Sequence, residues 1–172
     1  MIRTERLVLR QWREEDKAPF AALNADPEVM EHFPATMTRE ASDAFVDQIA
    51  AKIAARDWGI WAAEVVADGE LIGFIGLNEP GFMPGVEVGW RLARAAWGHG
   101  YATEGARAAL AYARDELKLD EVISFTSTTN VRSQRVMQRL GMTRDPADDF
   151  DHPRVDDPRL RRHVLYRLAF AR

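Results

Sequence analysis

The spacing of apolar residues changes several times along the chain, and each change predicts a new element. Residues 6–12, RLVLRQW, have the composition of a strand, and residues 13–24 have the spacing of a short helix. After Thr38, a plausible N-cap, apolar residues recur at every fourth position and predict a long helix. These helical positions are Ala41, Phe45, Ile49 and Ile53. Two helices therefore follow the first strand.

The middle of the chain changes to a period of two. Residues 58–77 contain two strand-like runs on either side of Asp68-Gly69, a dipeptide that favours tight hairpin turns. Residues 86–92, VEVGWRL, then alternate, so that valine, tryptophan and leucine face one way while Glu87 and Arg91 face the other. The pattern predicts three consecutive strands.

The last part alternates helices and strands. An alanine-rich stripe over 102–117 predicts a helix, 121–127 a strand, 130–141 a short helix that ends at a glycine, and 163–170 a final strand. Residues 145–158, rich in aspartate and proline, have the composition of a long surface loop.

Composition narrows the class of protein. The 172 residues fit a single domain, 1–172, with 47% hydrophobic and 29% charged residues, and no apolar run is long enough to span a bilayer. A net charge of −4 argues against a nucleic-acid partner, and the charged N-terminal residues favour a cytoplasmic protein without membrane association. The absence of cysteine excludes disulfides and a cysteine nucleophile.

Gly98 and Gly100 stand two apart, immediately before the alanine-rich helix. Glycines at a helix N-terminus let several backbone N–H groups point at an anion, so this turn suggests phosphate binding. The sequence has no Gly-Lys-Ser/Thr typical of a nucleotide P-loop, and no parallel βαβ unit precedes the turn as in a Rossmann site.

The segment WGHGYATEGARAAL resembles the acetyl-CoA pyrophosphate loop of the GNAT acyltransferases, in which Gln/Arg-x-x-Gly-x-Gly/Ala is usual. Gly100 and Ala102 fill the last two positions, and Trp97 replaces the usual first residue. The segments TERLVLR, DPEVMEHFP and TTNVRSQRVMQRLGM are similar to the RimJ/RimL-like branch. The resemblance implies an α/β fold with a mostly antiparallel sheet of about six to seven strands, flanked by about four helices.

The resemblance also implies how acetyl-CoA binds. Backbone amides of the glycine turn would hold the pyrophosphate, the strand before it would bind the pantetheine arm through its backbone, and Asn130 would contact the same arm. The turn residues are Gly98, His99, Gly100, Tyr101, Ala102 and Thr103, and the strand residues are Trp90, Arg91 and Leu92. Many relatives place a tyrosine seven residues after the asparagine as acid for the leaving thiolate. Met137 occupies that position here. The resemblance to the RimJ/RimL-like branch implies that Ser133 is the acid instead, with a plain helix-start serine as the alternative.

An amine must lose a proton before it attacks a thioester, so a base is expected near the cleft. Glu87 is the candidate because it lies on the strand that leads to the glycine turn, and a covered sheet would raise its pKa. The alternative is an exposed glutamate paired with Arg91 on the same strand face. Some relatives carry a base five residues before the asparagine, but that position is Phe125.

The expected activity is direct transfer of an acetyl group from acetyl-CoA to a primary amine, either a small molecule or a peptide N-terminus. Phe33, Trp12 and His152 are candidates for the acceptor pocket, although an ordinary loop histidine remains the simpler interpretation of the last. The scattered histidines indicate no metal site. Relatives are often homodimers, and this sequence leaves that open. The alternative function is a non-catalytic acyl-CoA-binding module with the same fold.

Overall fold

The computed structural model describes residues 1–171, and these residues form helices around one mixed sheet. The helices are α1 (Lys17–Ala25), α2 (Arg39–Arg56), α3 (Tyr101–Asp115), α4 (Val131–Arg139) and α5 (Pro158–Arg161). The strands are β1 (Ile2–Arg3), β2 (Leu7–Arg10), β3 (Ile60–Val65), β4 (Leu71–Asn78), β5 (Glu87–Leu92), β6 (Glu121–Ser127), β7 (Thr143–Arg144), β8 (Phe150–Asp151) and β9 (Arg162–Ala169).

The strands lie in the order β1-β2-β3-β4-β5-β6-β9-β7, with β8 paired to β9. Every pairing within residues 1–171 is antiparallel except that of β5 with β6. The fold is therefore the expected mixed α/β fold with a mostly antiparallel sheet. The six strands of four or more residues match the predicted ones, and β1, β7 and β8 add two residues each.

Helices cover both faces of the sheet. Phe74 of β4 packs against rings of α1 and α2, with centroids 6.2 Å from Phe20 and 6.3 Å from Phe45. Its neighbour Ile75 faces the opposite side, where it contacts Gly105 of α3. Because successive side chains of a strand point to opposite faces, α1 and α2 lie on one face and α3 on the other.

Two local predictions differ from the structure in detail. The buried stripe of α2 runs through Ser42, Val46, Ile49 and Ile53, so it lies one position off the predicted stripe at its N-terminal end. Residues 145–158 are mostly exposed, as predicted for a surface loop, but they also include β8 and the start of α5. Phe150 packs this segment against its neighbours, with its ring 5.6 Å from those of Phe125 and His163.

The parallel strands β5 and β6 separate along most of their length and leave an opening in the sheet. Glu87 pairs with Ile123, and the Ile123 N–H donates to the carbonyl of Val86 at 2.9 Å. Glu87–Ile123 is the one pair in the register of these strands within the described chain. Beyond it, a cavity takes the place of the hydrogen-bond ladder.

Candidate active site

A cavity of about 830 Å³ lies where β5 and β6 separate. Its walls come from strands β3 to β6, the segment between α1 and α2, the glycine turn, α4, and the chain before and at the start of β9. Distant parts of the sequence therefore share one cleft.

The glycine turn has the geometry that a phosphate loop needs. Gly98 and Gly100 have φ values of 81° and 80°, and Gly100 is the N-cap of α3. Glu104, in the first turn of this helix, accepts hydrogen bonds from Thr4 Oγ1 at 2.6 Å and from Arg6 Nε at 2.7 Å. Arg6 also donates to the carbonyl of His99 at 2.9 Å. These contacts hold the turn open toward the cavity, with its N–H groups at the positive end of the helix dipole.

Three arginines of α4, which the sequence analysis missed, line the same cavity. They are Arg132, Arg135 and Arg139, at helical spacings of three and four. Arg132 lies over the ring of Trp97 at 3.8 Å, and Trp97 in turn donates to the carbonyl of Leu92 at 2.9 Å. Within the described chain, Arg135 and Arg139 have no ion pair. The segment RSQRVMQR contained the signal, but only the fold shows that these charges face the glycine turn.

The backbone of β5 is divided between two neighbours. The backbone N–H of Ala93 donates to the carbonyl of Ile72. Backbone groups along a strand point to alternate sides, so those of Arg91, two residues earlier, also point toward β4, where Arg91 is paired with Phe74. Trp90 therefore directs its backbone N–H and C=O toward the gap. The prediction that the backbone of Arg91 binds the pantetheine arm is therefore wrong, because its N–H and C=O point toward β4. The carbonyl of Leu92 already accepts a hydrogen bond from the Trp97 indole.

Asn130 and Ser133 start α4 beside the cavity. The Oδ1 atom of Asn130 accepts from the Ser133 N–H at 3.2 Å, and its Nδ2 donates to Thr126 Oγ1 at 2.9 Å. Asn130 is thus a helix cap that also lines the cavity. The hydroxyl of Ser133 has no hydrogen bond to any residue of the described chain. Met137 is buried in the core, so a side chain at that position points away from the cleft.

Glu87 lies at the point where the two strands part. It is partly buried, and the loss of hydration raises its pKa to about 8, although a hydrogen bond with Asn78 acts in the opposite direction. Asn78 is its partner in the register of β4 and β5. Glu87 makes no ion pair with Arg91, which removes the strand-pair alternative of the sequence analysis. Its pKa matches a base that works near neutral pH.

Arg91 extends from the same face of β5 toward α1. Its Nη1 donates to Asn24 Oδ1 at 2.8 Å, its guanidinium lies 4.2 Å from the centroid of Phe33, and its Nε is buried without a hydrogen-bond partner. Burial lowers its pKa to about 10, so it remains protonated at neutral pH. None of the described carboxylates forms an ion pair with it.

An aromatic wall faces the cavity from the β6 side. Phe125, His152 and His163 line the cavity, and the rings of Phe82 and Phe150 pack behind them. The His152 and His163 rings are 4.8 Å apart, and burial is the main cause that lowers the pKa of each. Both imidazoles are therefore harder to protonate than an ordinary histidine. Of these residues, only His152 is predicted from the sequence as an acceptor contact.

The two aromatic candidates for the acceptor pocket differ. Phe33 lines the cavity and packs on Arg91. Trp12 does not line it: the side chain is 7% exposed, packs 4.8 Å from Phe20, and donates from its indole to the carbonyl of Ile60 at 2.8 Å. The predicted substrate role of Trp12 is wrong, because its ring is part of the core.

Comparison with known proteins decides the family. The profile of the acetyltransferase (GNAT) domain matches residues 6–143. The chain is a member of the GNAT family. It is 30% identical over 142 residues to the uncharacterized protein YkkB of Bacillus subtilis, with 81% of this chain and 83% of that one covered. It is 34% identical over 153 residues to an FsC-acetyl coenzyme A-N(2)-transacetylase of Aspergillus fumigatus, with 83% of this chain and 64% of that one covered.

Solved structures agree with this GNAT assignment. A GNAT-family acetyltransferase from Bacillus anthracis superposes with a TM-score of 0.83 at 25% identity, covering 98% of this chain and 97% of that one. RimL, a ribosomal L7/L12 α-N-protein acetyltransferase solved with coenzyme A, superposes with a TM-score of 0.78 at 14% identity, covering 97% and 96%. RimL shares the fold, and the expected RimJ/RimL-like neighbours are present.

Two further observations concern residues 1–171. No group of three or more histidine and acidic side chains in this range is arranged to hold a metal ion. No helix in the same range is long and apolar enough to cross a membrane.

Proposed function

We propose that this GNAT protein transfers the acetyl group of acetyl-CoA to a primary amine, on a small molecule or a peptide N-terminus, by direct attack in a ternary complex. The observation that carries the proposal is the position of Glu87. A carboxylate with a pKa of about 8 lies at the apex of the cleft whose outer wall carries the glycine turn and the α4 arginines.

The donor end of the cavity fits the phosphates of acetyl-CoA. The turn from Gly98 to Thr103 offers backbone N–H groups at a helix N-terminus, and Arg135 and Arg139 add positive charge that is not paired within the described chain. The free backbone edge of Trp90 then fits an amide-containing pantetheine arm that runs toward the apex. These features support binding of the whole cofactor arm.

Glu87 would remove the proton of the attacking amine. A free alkylamine with a pKa of about 10.4 is almost wholly protonated at pH 7, which costs roughly 4–5 kcal/mol for the reactive form. The ammonium first gives one proton to the Glu87 carboxylate, directly or through a water molecule, and the neutral nitrogen then bonds to the thioester carbon. The nitrogen loses its second proton to solvent as the amide forms. A base with a raised pKa accepts this proton more readily than an ordinary glutamate does.

Ser133 would assist the leaving group. When the carbon–sulfur bond breaks, the thiolate takes a proton from the Ser133 hydroxyl, which regains one from solvent. Phe33 and His152 border the space beyond the thioester and are the proposed contacts for the acceptor. His152 fits an acceptor contact as a neutral ring, because its Nδ1 accepts from the Arg154 N–H at 3.1 Å.

A thiol-release assay tests the proposal. The protein is incubated with acetyl-CoA and a panel of peptides with varied N-termini, polyamines, aminoglycosides and amino acids. Release that depends on one acceptor class supports the enzyme and identifies that class. If acetyl-CoA raises the melting temperature but no acceptor releases thiol, the non-catalytic binding module is favoured. No thermal shift would contradict the donor assignment itself.

A further inference from the structure

The Arg91 guanidinium is a half-buried positive charge without a compensating negative one. Its protein contacts are Asn24 Oδ1, the sulfur of Met37 at 3.8 Å, and the rings of Phe33 and Phe74. No carboxylate of the described chain pairs with it, and its Nε is buried without a partner. Taking a cation out of water is costly unless an anion is bound. Yet Arg91 lines the cavity and not the closed core.

Glu87 and Arg91 project from the same face of β5, four positions apart, with Gly89 between them. At the rise of an antiparallel strand, their Cα atoms are separated by about 13 Å. A side chain at Gly89 would touch only Glu87, whose Oε1 lies 3.6 Å from the ideal Cβ position, so the space above this glycine is open. Along this face of β5, the proposed base Glu87 is followed by the open space above Gly89 and then by the unpaired cation of Arg91.

We propose that the acceptor is an elongated amine whose carboxylate binds the Arg91 guanidinium while its amino group lies at Glu87. This inference rests on the proposed function, because it assigns the second end of the same acceptor. The Glu87 carboxylate leans toward Gly89, so the two groups of the acceptor lie roughly 7–13 Å apart, which corresponds to two to four extended residues of a peptide. The Phe33 ring over the guanidinium covers the carboxylate end.

The test compares alanine peptides of one to four residues as free acids and as C-terminal amides. With the unaltered protein and acetyl-CoA, we expect the free acids of two to four residues to have a KM roughly tenfold or more below that of the matching amides. Single alanine should show no such preference, since its two groups are too close to reach both sites. Equal KM values for acid and amide at every length would overturn the proposal.

Variants locate the effect. Arg91→Met should abolish the preference by raising the KM of each acid to that of its matching amide, and Arg91→Lys should retain part of it. Arg114→Met is the matched control, because Arg114 is exposed and pairs with its neighbour Asp115, so it removes the same charge away from the cavity. An acid preference that survives Arg91→Met would contradict the assignment.

Binding separates this inference from the proposed acetyl transfer. If no peptide is acetylated, melting temperatures are measured with the tetrapeptide acid and its amide. A larger shift with the acid, lost in Arg91→Met but kept in Arg114→Met, supports the carboxylate site although acetylation of these peptides has failed. Equal shifts, or none, reject the site. Because this comparison uses the unaltered protein first, it stands even if an Arg91 variant folds poorly.

Discussion

The position of Glu87 in the cleft changes the acidity of its carboxyl group. The strand pattern placed it on one face of β5, and its surroundings in the cleft raise its pKa to about 8. The sequence could predict the face but not the shift, because burial depends on which strands and helices lie around the residue. The same limit applies to Arg91, whose side-chain partners come from α1 and from the segment between α1 and α2.

Replacement of Glu87 by Gln tests the base. With an alkylamine acceptor whose own pKa is well above 8, kcat/KM of the unaltered protein should rise with pH through about 8, as Glu87 loses its proton. Glu87→Gln should lower kcat about 100-fold or more and remove this limb of the profile, while acetyl-CoA affinity stays unchanged. Glu70→Gln, at an exposed hairpin carboxylate, is the control. An unchanged profile in Glu87→Gln would mean that another group removes the proton.

Replacement of Ser133 by Ala tests the acid. A thiolate is a moderately good leaving group, so we expect kcat to fall only about tenfold, with little change in the dissociation constant of acetyl-CoA. Steady-state kinetics and a binding titration separate the two quantities. If kcat is unaffected, Ser133 is a plain helix-start residue. The helix itself should survive the change, because the Ser133 N–H and not its hydroxyl bonds to Asn130.

At the scale of elements, long periodic segments were predictable and very short ones were not. The alternation in 86–92 and the stripe before Leu117 are properties of the sequence, so β5 and α3 follow from local periodicity. Strands β7 and β8 have two residues each and are defined by their pairing with β9, so no local sequence pattern predicts them. The arginines of α4 were visible in sequence, but their direction depends on how α4 packs.

The glycine turn can be tested against a second turn of the same conformation. Gly98 and Gly69 have φ values of 81° and 75°, and a Cβ would meet nothing within 4 Å at either site. Alanine should therefore cost a similar free energy of unfolding at both, about 1 kcal/mol. Only Gly98→Ala lies at the proposed phosphate site, where we expect about tenfold weaker acetyl-CoA binding by calorimetry. Equal affinities in the two variants would place the phosphates elsewhere.

At the scale of the whole molecule, the cleft is a gap within the sheet. The strands between residues 2 and 169 form one sheet, and the pairing of β5 with β6 stops after Glu87 and Ile123. The motif resemblance predicted this fold because its segments are spread over the chain. It could not predict which cavity side chains lack partners, since that depends on every wall at once.

The gap has a consequence for stability. Glu87 has a folded-state pKa of about 8 against an ordinary value of 4.5, so the folded protein holds a proton that the unfolded chain releases. Folding is therefore increasingly disfavoured as pH rises from about 4.5 to 8, and the penalty is constant above 8. The free energy that corresponds to the full pKa shift is an upper bound on this penalty, because water reaches the cavity. We expect a penalty of roughly 2 kcal/mol at pH 9. Glu87→Gln should remove it.

Urea unfolding of the unaltered protein and of Glu87→Gln at pH 4, 6, 7.5 and 9 measures this penalty. The variant should be nearly equal to the parent protein at pH 4, where Glu87 is protonated in the folded state and mostly protonated in the unfolded chain, and should exceed it progressively up to pH 9. Glu70→Gln, at an exposed carboxylate, is measured alongside as the control. A constant difference between the two proteins at every pH would assign the change to packing and not to ionisation. A gain that grows with pH, together with lost turnover, would show that the same burial which costs stability supplies the base.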